Sequence, residues 1–310
     1  MGTMSSDTAD KASDARRYLD PQVLAKLERL DLKARLIVEG FISGLHKSPF
    51  HGFSVEFAQH REYAPGDDLR RLDWKVYARS DRHYIKEYEE ETNLVAYVLL
   101  DISESMRYAS GPVSKLEYGS YIAASLIYLM LNQRDSVGLA LFDDKVRRFI
   151  CDSSNPGHRA ELIDALENIR PTGKTELGEV LQYMVGQVRR RGMLIVVSDL
   201  FTNADRLLTG LKHLRHRRHE VIVFHVLDEY ERTFPFQQLT LFKGMEGYPQ
   251  LFAEPRSLRD QYLSELDAFV TRVRDECVAN RIDYQQLSTS APLDVALSSY
   301  LATRMATTRR

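Results

Sequence analysis

Residues 94–105 read Leu-Val-Ala-Tyr-Val-Leu-Leu-Asp-Ile-Ser-Glu-Ser, an apolar run that ends in one carboxylate and two hydroxyls. An apolar run of this length that stops at a polar loop is typical of a strand buried on both faces, as in a parallel sheet. Ligands of open α/β sheets bind at the carboxyl ends of such strands. Asp101, Ser103 and Ser105 stand at alternate positions, so an extended turn would direct all three side chains to one point. This loop is the strongest indication of function in the sequence.

The chain from residue 93 onward alternates apolar runs with amphipathic patterns, which is the signature of βαβ units. The apolar runs predict strands at 94–100, 137–142, 194–198, 221–227 and 282–287. The amphipathic patterns predict helices at 115–133, 158–169, 177–191, 204–216, 256–280 and 293–305. Right-handed crossovers would place these helices on both faces of the sheet. We therefore predict an α/β fold with a doubly wound, mainly parallel sheet.

Changes in amino-acid composition and pattern along the chain predict three regions. Residues 1–19 are small, polar and charged, which predicts a disordered tail. Residues 20–92 combine a helical pattern from Pro21 to about Leu45 with short aromatic and charged segments. They predict a small N-terminal subdomain made of a helix and short strands. Residues 93–310 form the predicted α/β domain.

Composition limits the classes of partner and compartment. The 310-residue chain carries a formal net charge of −2 and has a pI of about 6.5, so its charge gives no reason to expect nucleic acid or an anionic membrane. Cys151 and Cys277 lie far apart without zinc-ligand spacing, which favours a reducing compartment, with a single disulfide as the alternative. No apolar run approaches the roughly 20 residues that a membrane helix needs, and the first residues lack the apolar core of a signal peptide. We expect a cytoplasmic protein without a membrane segment.

Two further loops bring oxygen-bearing side chains to the same edge of the predicted sheet. Thr175 ends a loop that links two predicted helices, and Asp199 directly follows the predicted strand 194–198. Loops after neighbouring strands of a doubly wound sheet meet at one edge, and a loop that returns from a helix can lie beside them. The candidate set is Asp101, Ser103, Ser105, Thr175 and Asp199. Their hydroxyl and carboxylate oxygens suit Mg²⁺, Mn²⁺ or Ca²⁺ rather than zinc.

This arrangement resembles the metal-ion-dependent adhesion site of the von Willebrand factor A-type fold, whose pattern is Asp-x-Ser-x-Ser, then a Thr, then an Asp. The resemblance implies that Ser103, Ser105 and Thr175 bind the metal directly, while Asp101 and Asp199 support it with charge, often through water. It also implies an open metal position that an acidic residue of a protein partner can occupy. The competing interpretation is that these residues only cap turns and helices, a role that Ser, Thr and Asp all fill well.

Residues 52–92 carry a second pattern. They contain Gly-Phe-Ser-Val-Glu-Phe at 52–57, Arg-Glu-Tyr-x-Pro-Gly-Asp-Asp at 61–68 and Arg-Arg-Leu-Asp-Trp at 70–74. This pattern resembles the bacterial and archaeal domain-of-unknown-function family 58, which joins the signature to an A-type core. The resemblance implies a non-enzymatic protein-interaction module that works with a MoxR-type AAA+ ATPase in the assembly or activation of client proteins.

Other functions have weaker support in the sequence. A divalent-metal-dependent hydrolase acting on phosphate esters would need a general base, for which Asp143, Asp144 and Glu176 are the candidates. The tripeptide Gly-Lys-Thr at 173–175 resembles the end of a phosphate-binding P-loop, but Asn168 stands where such a loop needs a glycine. A third alternative is a degenerate scaffold whose site holds no metal.

Overall fold

The structure is a computed structural model, and it describes residues 19–45, 60–62, 84–86, 94–171, 173–247 and 249–308. The chain divides into two compact units, one of Met1–Lys47 with Leu94–Arg310 and the other of Ser48–Asn93. Residues 1–18 of the predicted tail lie outside the described residues, as does most of the signature at 52–74.

The strands, in chain order, are β1 (His60–Glu62), β2 (Tyr84–Lys86), β3 (Val95–Asp101), β4 (Ser136–Phe142), β5 (Val146–Ser153), β6 (Met193–Ser198), β7 (Glu220–Leu227), β8 (Thr240–Phe242), β9 (Leu251–Ala253) and β10 (Asp283–Ser288). In the second unit, β1 pairs with β2 antiparallel, and Arg61 lies opposite Ile85. In the first unit, β8 pairs with β9 antiparallel as a separate two-stranded sheet. The other six strands form the central sheet.

The order across the central sheet is β10-β7-β6-β3-β4-β5. β5 runs antiparallel to β4, whereas the other neighbours are parallel. Numbered along the chain, these strands lie in the order 3-2-1-4-5-6, which is a doubly wound arrangement. The predicted fold class, an α/β protein with a doubly wound, mainly parallel sheet, is confirmed.

The helices, in chain order, are α1 (Pro21–Leu24), α2 (Leu30–Leu45), α3 (Lys115–Asn132), α4 (His158–Glu167), α5 (Leu177–Gln187), α6 (Ala204–His216), α7 (Glu229–Thr233), α8 (Pro255–Ala279) and α9 (Asp294–Thr308). They cover both faces of the sheet. Successive side chains of a strand point to opposite faces, and β3 follows this rule. Val98 and Leu100 belong to the apolar cluster that contains α3, whereas Leu99 belongs to the cluster that contains Leu181 of α5 and Leu211 of α6.

Helix α2 packs against α3 in the unit that contains the sheet. Ile37 and Phe41 of α2 are buried in the same apolar cluster as Ile122 of α3. The ammonium of Lys33 donates a hydrogen bond to the hydroxyl of Tyr121, at 3.0 Å. The sequence grouped this helix with the segment up to residue 92, but its apolar side is covered by the α/β unit.

Strand β5 and the β8–β9 hairpin were not predicted from the sequence. β5 is an edge strand whose residues Arg147 and Arg148 are exposed, so its sequence lacks the continuous apolar run of an inner strand. β8 and β9 have three residues each, too few to show a period. Among the described helices, none combines the length and apolar character needed to cross a membrane.

Candidate metal centre

The site lies between β3 and β6, where the strand order of the sheet reverses. These strands are parallel neighbours, and Leu100 lies opposite Val197. Asp101 is the last residue of β3, and Asp199 directly follows the last residue of β6. Open α/β sheets bind ligands outside the carboxyl ends of their strands at this switch point. The topology therefore places both candidate carboxylates at the position where the fold opens a crevice.

The first loop forms a tight turn that directs two hydroxyls the same way. The backbone N–H of Ser103 donates to Asp101 Oδ1 at 2.9 Å. A short 3-10 turn (Glu104–Arg107) follows, and the hydroxyl oxygens of Ser103 and Ser105 lie 3.0 Å apart. Asp101 and Ser103 are fully buried, whereas Ser105 is partly exposed. The site therefore opens to solvent on the side of Ser105.

The second loop lies against the first. The N–H of Glu104 donates to the carbonyl oxygen of Gly173 at 3.2 Å, which fixes the two loops to each other. Gly173 has a φ of 76°, a left-handed conformation that glycine adopts without steric cost. The hydroxyl of Thr175, a buried residue, donates to Asp101 Oδ2 at 3.4 Å.

The third loop completes the set. Asp199 is fully buried, and the N–H of Phe201 donates to its Oδ1 at 3.2 Å. The hydroxyl of Ser105 is close enough to Asp199 to lower the pKa of that carboxyl by hydrogen bonding. All five side chains predicted from the sequence therefore come together at one edge of the sheet.

Ser198 and Lys115 also contact the site, although their sequence context did not predict it. Ser198 donates its hydroxyl to Asp101 Oδ2 at 2.6 Å and accepts the N–H of Leu200 at 2.9 Å. Lys115, at the start of α3, places its ammonium 2.7 Å from Asp199 Oδ2 and 2.7 Å from Glu231 Oε1. A lysine in the first turn of a helix is normally solvated, so its local sequence gives no sign of this role.

The two aspartates have different electrostatic surroundings. Burial, together with the nearby charge of Asp199, raises the pKa of Asp101 to about 7. Burial also pushes the pKa of Asp199 upward, but the ammonium of Lys115 outweighs it and holds that pKa below its usual value. Lys115 itself is buried, yet the charges of Asp199 and Glu231 raise its pKa. Lys115 pairs with Asp199 and Glu231, and among the described residues Asp101 has no ion pair of its own.

The donor set fits a hard divalent cation. Magnesium binds oxygen ligands at about 2.1 Å in octahedral geometry, so adjacent ligand oxygens lie about 3 Å apart. The 3.0 Å separation of the Ser103 and Ser105 hydroxyls matches that spacing. The described residues contain no group of three or more His, Cys, Asp or Glu side chains able to hold a metal, so a cation here would depend on hydroxyl ligands. Lys115 already offsets one carboxylate charge, which lowers the affinity expected of the site.

Each of the three candidate general bases of a hydrolase faces an arginine. Arg147 Nε lies 2.6 Å from Asp143 Oδ1, and another nitrogen of the same guanidinium lies 2.6 Å from Asp144 Oδ1. Glu176 is half exposed and faces Arg206 at 3.6 Å. The Gly-Lys-Thr tripeptide at 173–175 follows helix α4 rather than a strand, so the context of a P-loop is absent there.

The chain is 24% identical over 247 residues to the uncharacterized protein Rv1480 of Mycobacterium tuberculosis (strain ATCC 25618 / H37Rv), which covers 78% of this chain and 77% of that protein. The structure is similar to BatB from Bacteroides thetaiotaomicron, with 17% identity, a TM-score of 0.46 and coverage of 69% of this chain and 99% of that one. It is also similar to the SpRpn10 VWA domain, with 12% identity, a TM-score of 0.42 and coverage of 66% and 94%.

The family model described as "Protein of unknown function DUF58" matches residues 59–268. That range includes the predicted signature from residue 61 to 74 and all five residues of the candidate metal centre. Because the match covers more than half of the chain, the protein belongs to the DUF58 family.

Proposed function

We propose that this protein is a non-enzymatic, metal-dependent protein-interaction module of the cytoplasm. The observation that carries the proposal is the convergence of three hydroxyls and two buried carboxylates at the switch point of the sheet. The residues proposed to hold the cation are Asp101, Ser103, Ser105, Thr175 and Asp199. Mg²⁺ is the proposed ion, with Mn²⁺ and Ca²⁺ as alternatives, because all five donors are hard oxygens.

The chain's own residues divide the work of binding. Ser103, Ser105 and Thr175 present hydroxyl oxygens, and the turn that begins at Ser103 keeps two of them side by side. Asp101 and Asp199 supply negative charge from buried positions. A cation held there would supply an exchangeable position for a carboxylate of the partner. The partly exposed side of the site, at Ser105, is where that carboxylate would enter.

The proposed partner is a protein that presents an Asp or Glu, and the resemblance to family members suggests a MoxR-type AAA+ ATPase or one of its clients. We propose no role for nucleic acid, because the chain has a formal net charge of −2. A catalytic role has less support, since Asp143 and Asp144 are both bound by Arg147. These contacts favour a binding function for the site.

The first experiment measures metal binding without a partner. Mg²⁺ and Mn²⁺ are titrated by calorimetry into wild type, Ser103→Ala and the control Ser154→Ala, a serine that is exposed and remote in sequence from the site. We expect wild type and the control to bind alike, and Ser103→Ala to lose about tenfold or more in affinity. Equal affinities in all three proteins would rule out the site.

The second experiment measures the interaction. A purified MoxR-type AAA+ ATPase is mixed with the same three proteins, with Mg²⁺ or with a chelator, and complex formation is followed by pull-down. We expect binding that depends on Mg²⁺ and is lost in Ser103→Ala. Binding that survives both the chelator and Ser103→Ala would contradict a metal-dependent mechanism.

A further inference from the structure

The loop between β8 and β9 reaches the candidate metal centre through Glu246. The backbone N–H of Glu246 donates to Glu104 Oε2 at 3.1 Å. Glu104 lies between Ser103 and Ser105 in the chain, so the β8–β9 loop is fixed directly to the turn that carries two hydroxyl donors. This contact joins a fourth loop to the three that build the site.

The backbone of this loop is bent in a costly conformation. Glu246 has a φ of 57° and Gly247 a φ of 77°, so two successive residues are left-handed. For a residue other than glycine this conformation costs about 1 kcal/mol or more, and it persists only where surrounding contacts enforce it. The hydrogen bond from the Glu246 N–H to Glu104 is one contact that enforces it.

The carboxyl of Glu246 lies among the outer donors of the site. Burial raises its pKa, and the charge of Asp199 raises it further. The hydroxyl and N–H of Ser105 and the N–H of Thr175 act in the opposite direction, because they are close enough to favour the ionised form. The carboxyl is therefore beside Ser105 and the backbone N–H of Thr175, while Asp101 and Asp199 lie deeper in the protein.

One oxygen of this carboxyl is left without a partner. Glu246 Oε1 is buried and accepts no hydrogen bond from the described residues. Leaving a buried acceptor unsatisfied costs about 1–3 kcal/mol, and more for a charged group. A cation held between Ser105 and Thr175 would be a natural partner for this oxygen, since carboxylates are preferred ligands of hard cations. Glu246 does not make a group of three acids with Asp101 and Asp199, because no such group exists in the described part of the chain.

We infer that Glu246 is an internal acidic ligand, which occupies the position that the proposed function reserves for the partner's carboxylate. The inference rests on that proposed function and extends it in two ways. It identifies the chemical class of the partner's ligand as a carboxylate, because the position that Glu246 occupies already suits a carboxylate. It also makes the β8–β9 loop a competitor, which an acidic partner must displace before it can bind.

The test measures competition with a defined probe. The blocked tripeptide acetyl-Ala-Glu-Ala-amide is titrated by saturation-transfer NMR, in buffer containing saturating Mg²⁺, into the full chain of wild type, Glu246→Gln and Glu254→Gln. Glu254 is a matched control, because it is exposed, lies close to the same hairpin and makes no side-chain capping bond. Glutamine keeps the size and polarity of the side chain but removes its charge.

We expect Glu246→Gln to bind the peptide about tenfold more tightly than wild type, as for a site that is open in about one tenth of wild-type molecules. Glu254→Gln should match wild type. If the peptide binds Glu246→Gln no more tightly than wild type, or fails to bind it, the inference is overturned.

A second measurement separates this inference from the proposed function, because it needs neither metal nor peptide. Hydrogen exchange of the backbone amides in β8 and β9 is compared between Glu246→Gln and Glu254→Gln in the presence of a chelator. We expect faster exchange in Glu246→Gln, because the carboxyl no longer fixes the loop to Ser105 and Thr175, and equal exchange in the two variants overturns the inference. Failure of the proposed function would appear instead as absent Mg²⁺ binding by wild type.

Discussion

The ammonium of Lys115 lies 2.7 Å from Asp199 Oδ2, and both side chains are completely buried. A second carboxylate, Glu231, lies at the same distance from the ammonium. Removing one partner of a buried ion pair is costly because it leaves an uncompensated charge in the interior. Lys115 is therefore a structural counterion of the candidate metal centre, and it competes with any cation for the charge of Asp199.

Replacement of Lys115 separates its effect on stability from its effect on cation binding. Lys115→Met keeps the length of the side chain but removes its charge, so we expect a loss of about 3–5 kcal/mol in the free energy of unfolding without metal. Because Asp199 then lacks its ammonium, added Mg²⁺ should raise the Tm of Lys115→Met more than that of wild type. Thermal unfolding with and without Mg²⁺ measures both effects, with the exposed Lys145→Met as control. A variant with wild-type stability and no added response to Mg²⁺ would refute this role.

A buried histidine predicts a loss of stability in acid. Burial lowers the pKa of His225 to about 4, although the charge of Asp199 acts in the opposite direction. A histidine in the unfolded chain has a pKa of about 6.5. Between about pH 6.5 and pH 4, the unfolded state therefore binds more protons at this residue than the folded state does. The stability that His225 contributes is therefore present above pH 6.5 and is lost as the pH falls toward 4, by an amount on the order of 3 kcal/mol.

The histidine prediction is checked by urea unfolding of wild type and His225→Gln at a series of pH values. Part of the acid-induced decline should disappear in the variant, while the exposed His216→Gln should keep it. Tyr284, whose hydroxyl lies 2.6 Å from Nδ1 of His225, keeps a hydrogen-bonding partner in the glutamine variant. Parallel pH curves for wild type and His225→Gln would show that another group causes the decline.

Helix α2 should unfold together with the sheet. Ile37 is fully buried in the cluster that contains α3, so Ile37→Ala should cost about 2–5 kcal/mol. Leu32 lies on the same helix but is 42% exposed, and Leu32→Ala should change stability far less. Both variants are compared by denaturant unfolding, followed by circular dichroism. A similar small effect of both substitutions would show that α2 is not part of the core of this unit.

The sequence was sufficient to predict those parts of the site that follow directly from one strand with a clear apolar pattern. β3 is buried along nearly its whole length, so its apolar run marked both the strand and the loop that starts at Asp101. The switch point followed from the alternation of strands and helices, because parallel strands connected in this way deliver their carboxyl ends to one edge. The meeting of Thr175 with Asp101 could be anticipated for the same reason.

The site residues that could not be predicted from the sequence contact segments that are distant along the chain. Lys115 belongs to a helix start, Ser198 to an apolar strand and Glu246 to a loop between two short strands. Each contacts the site only after distant segments have packed, as in the bond between Ser198 and Asp101 across 97 positions of the chain. No local period or spacing records such a contact. The assignment of α2 was missed in the same way, since its partner α3 lies far along the chain.

Glu104 has consequences beyond its own modest exposure. Glu104 is not one of the proposed metal ligands. Its backbone N–H donates a hydrogen bond to the carbonyl oxygen of Gly173, and its carboxylate accepts one from the N–H of Glu246. Glu104 therefore links the loop at Gly173 and the β8–β9 loop to the turn that carries Ser103 and Ser105. Because both loops are hydrogen-bonded to this residue, we expect a displacement of either loop to shift the two serines as well.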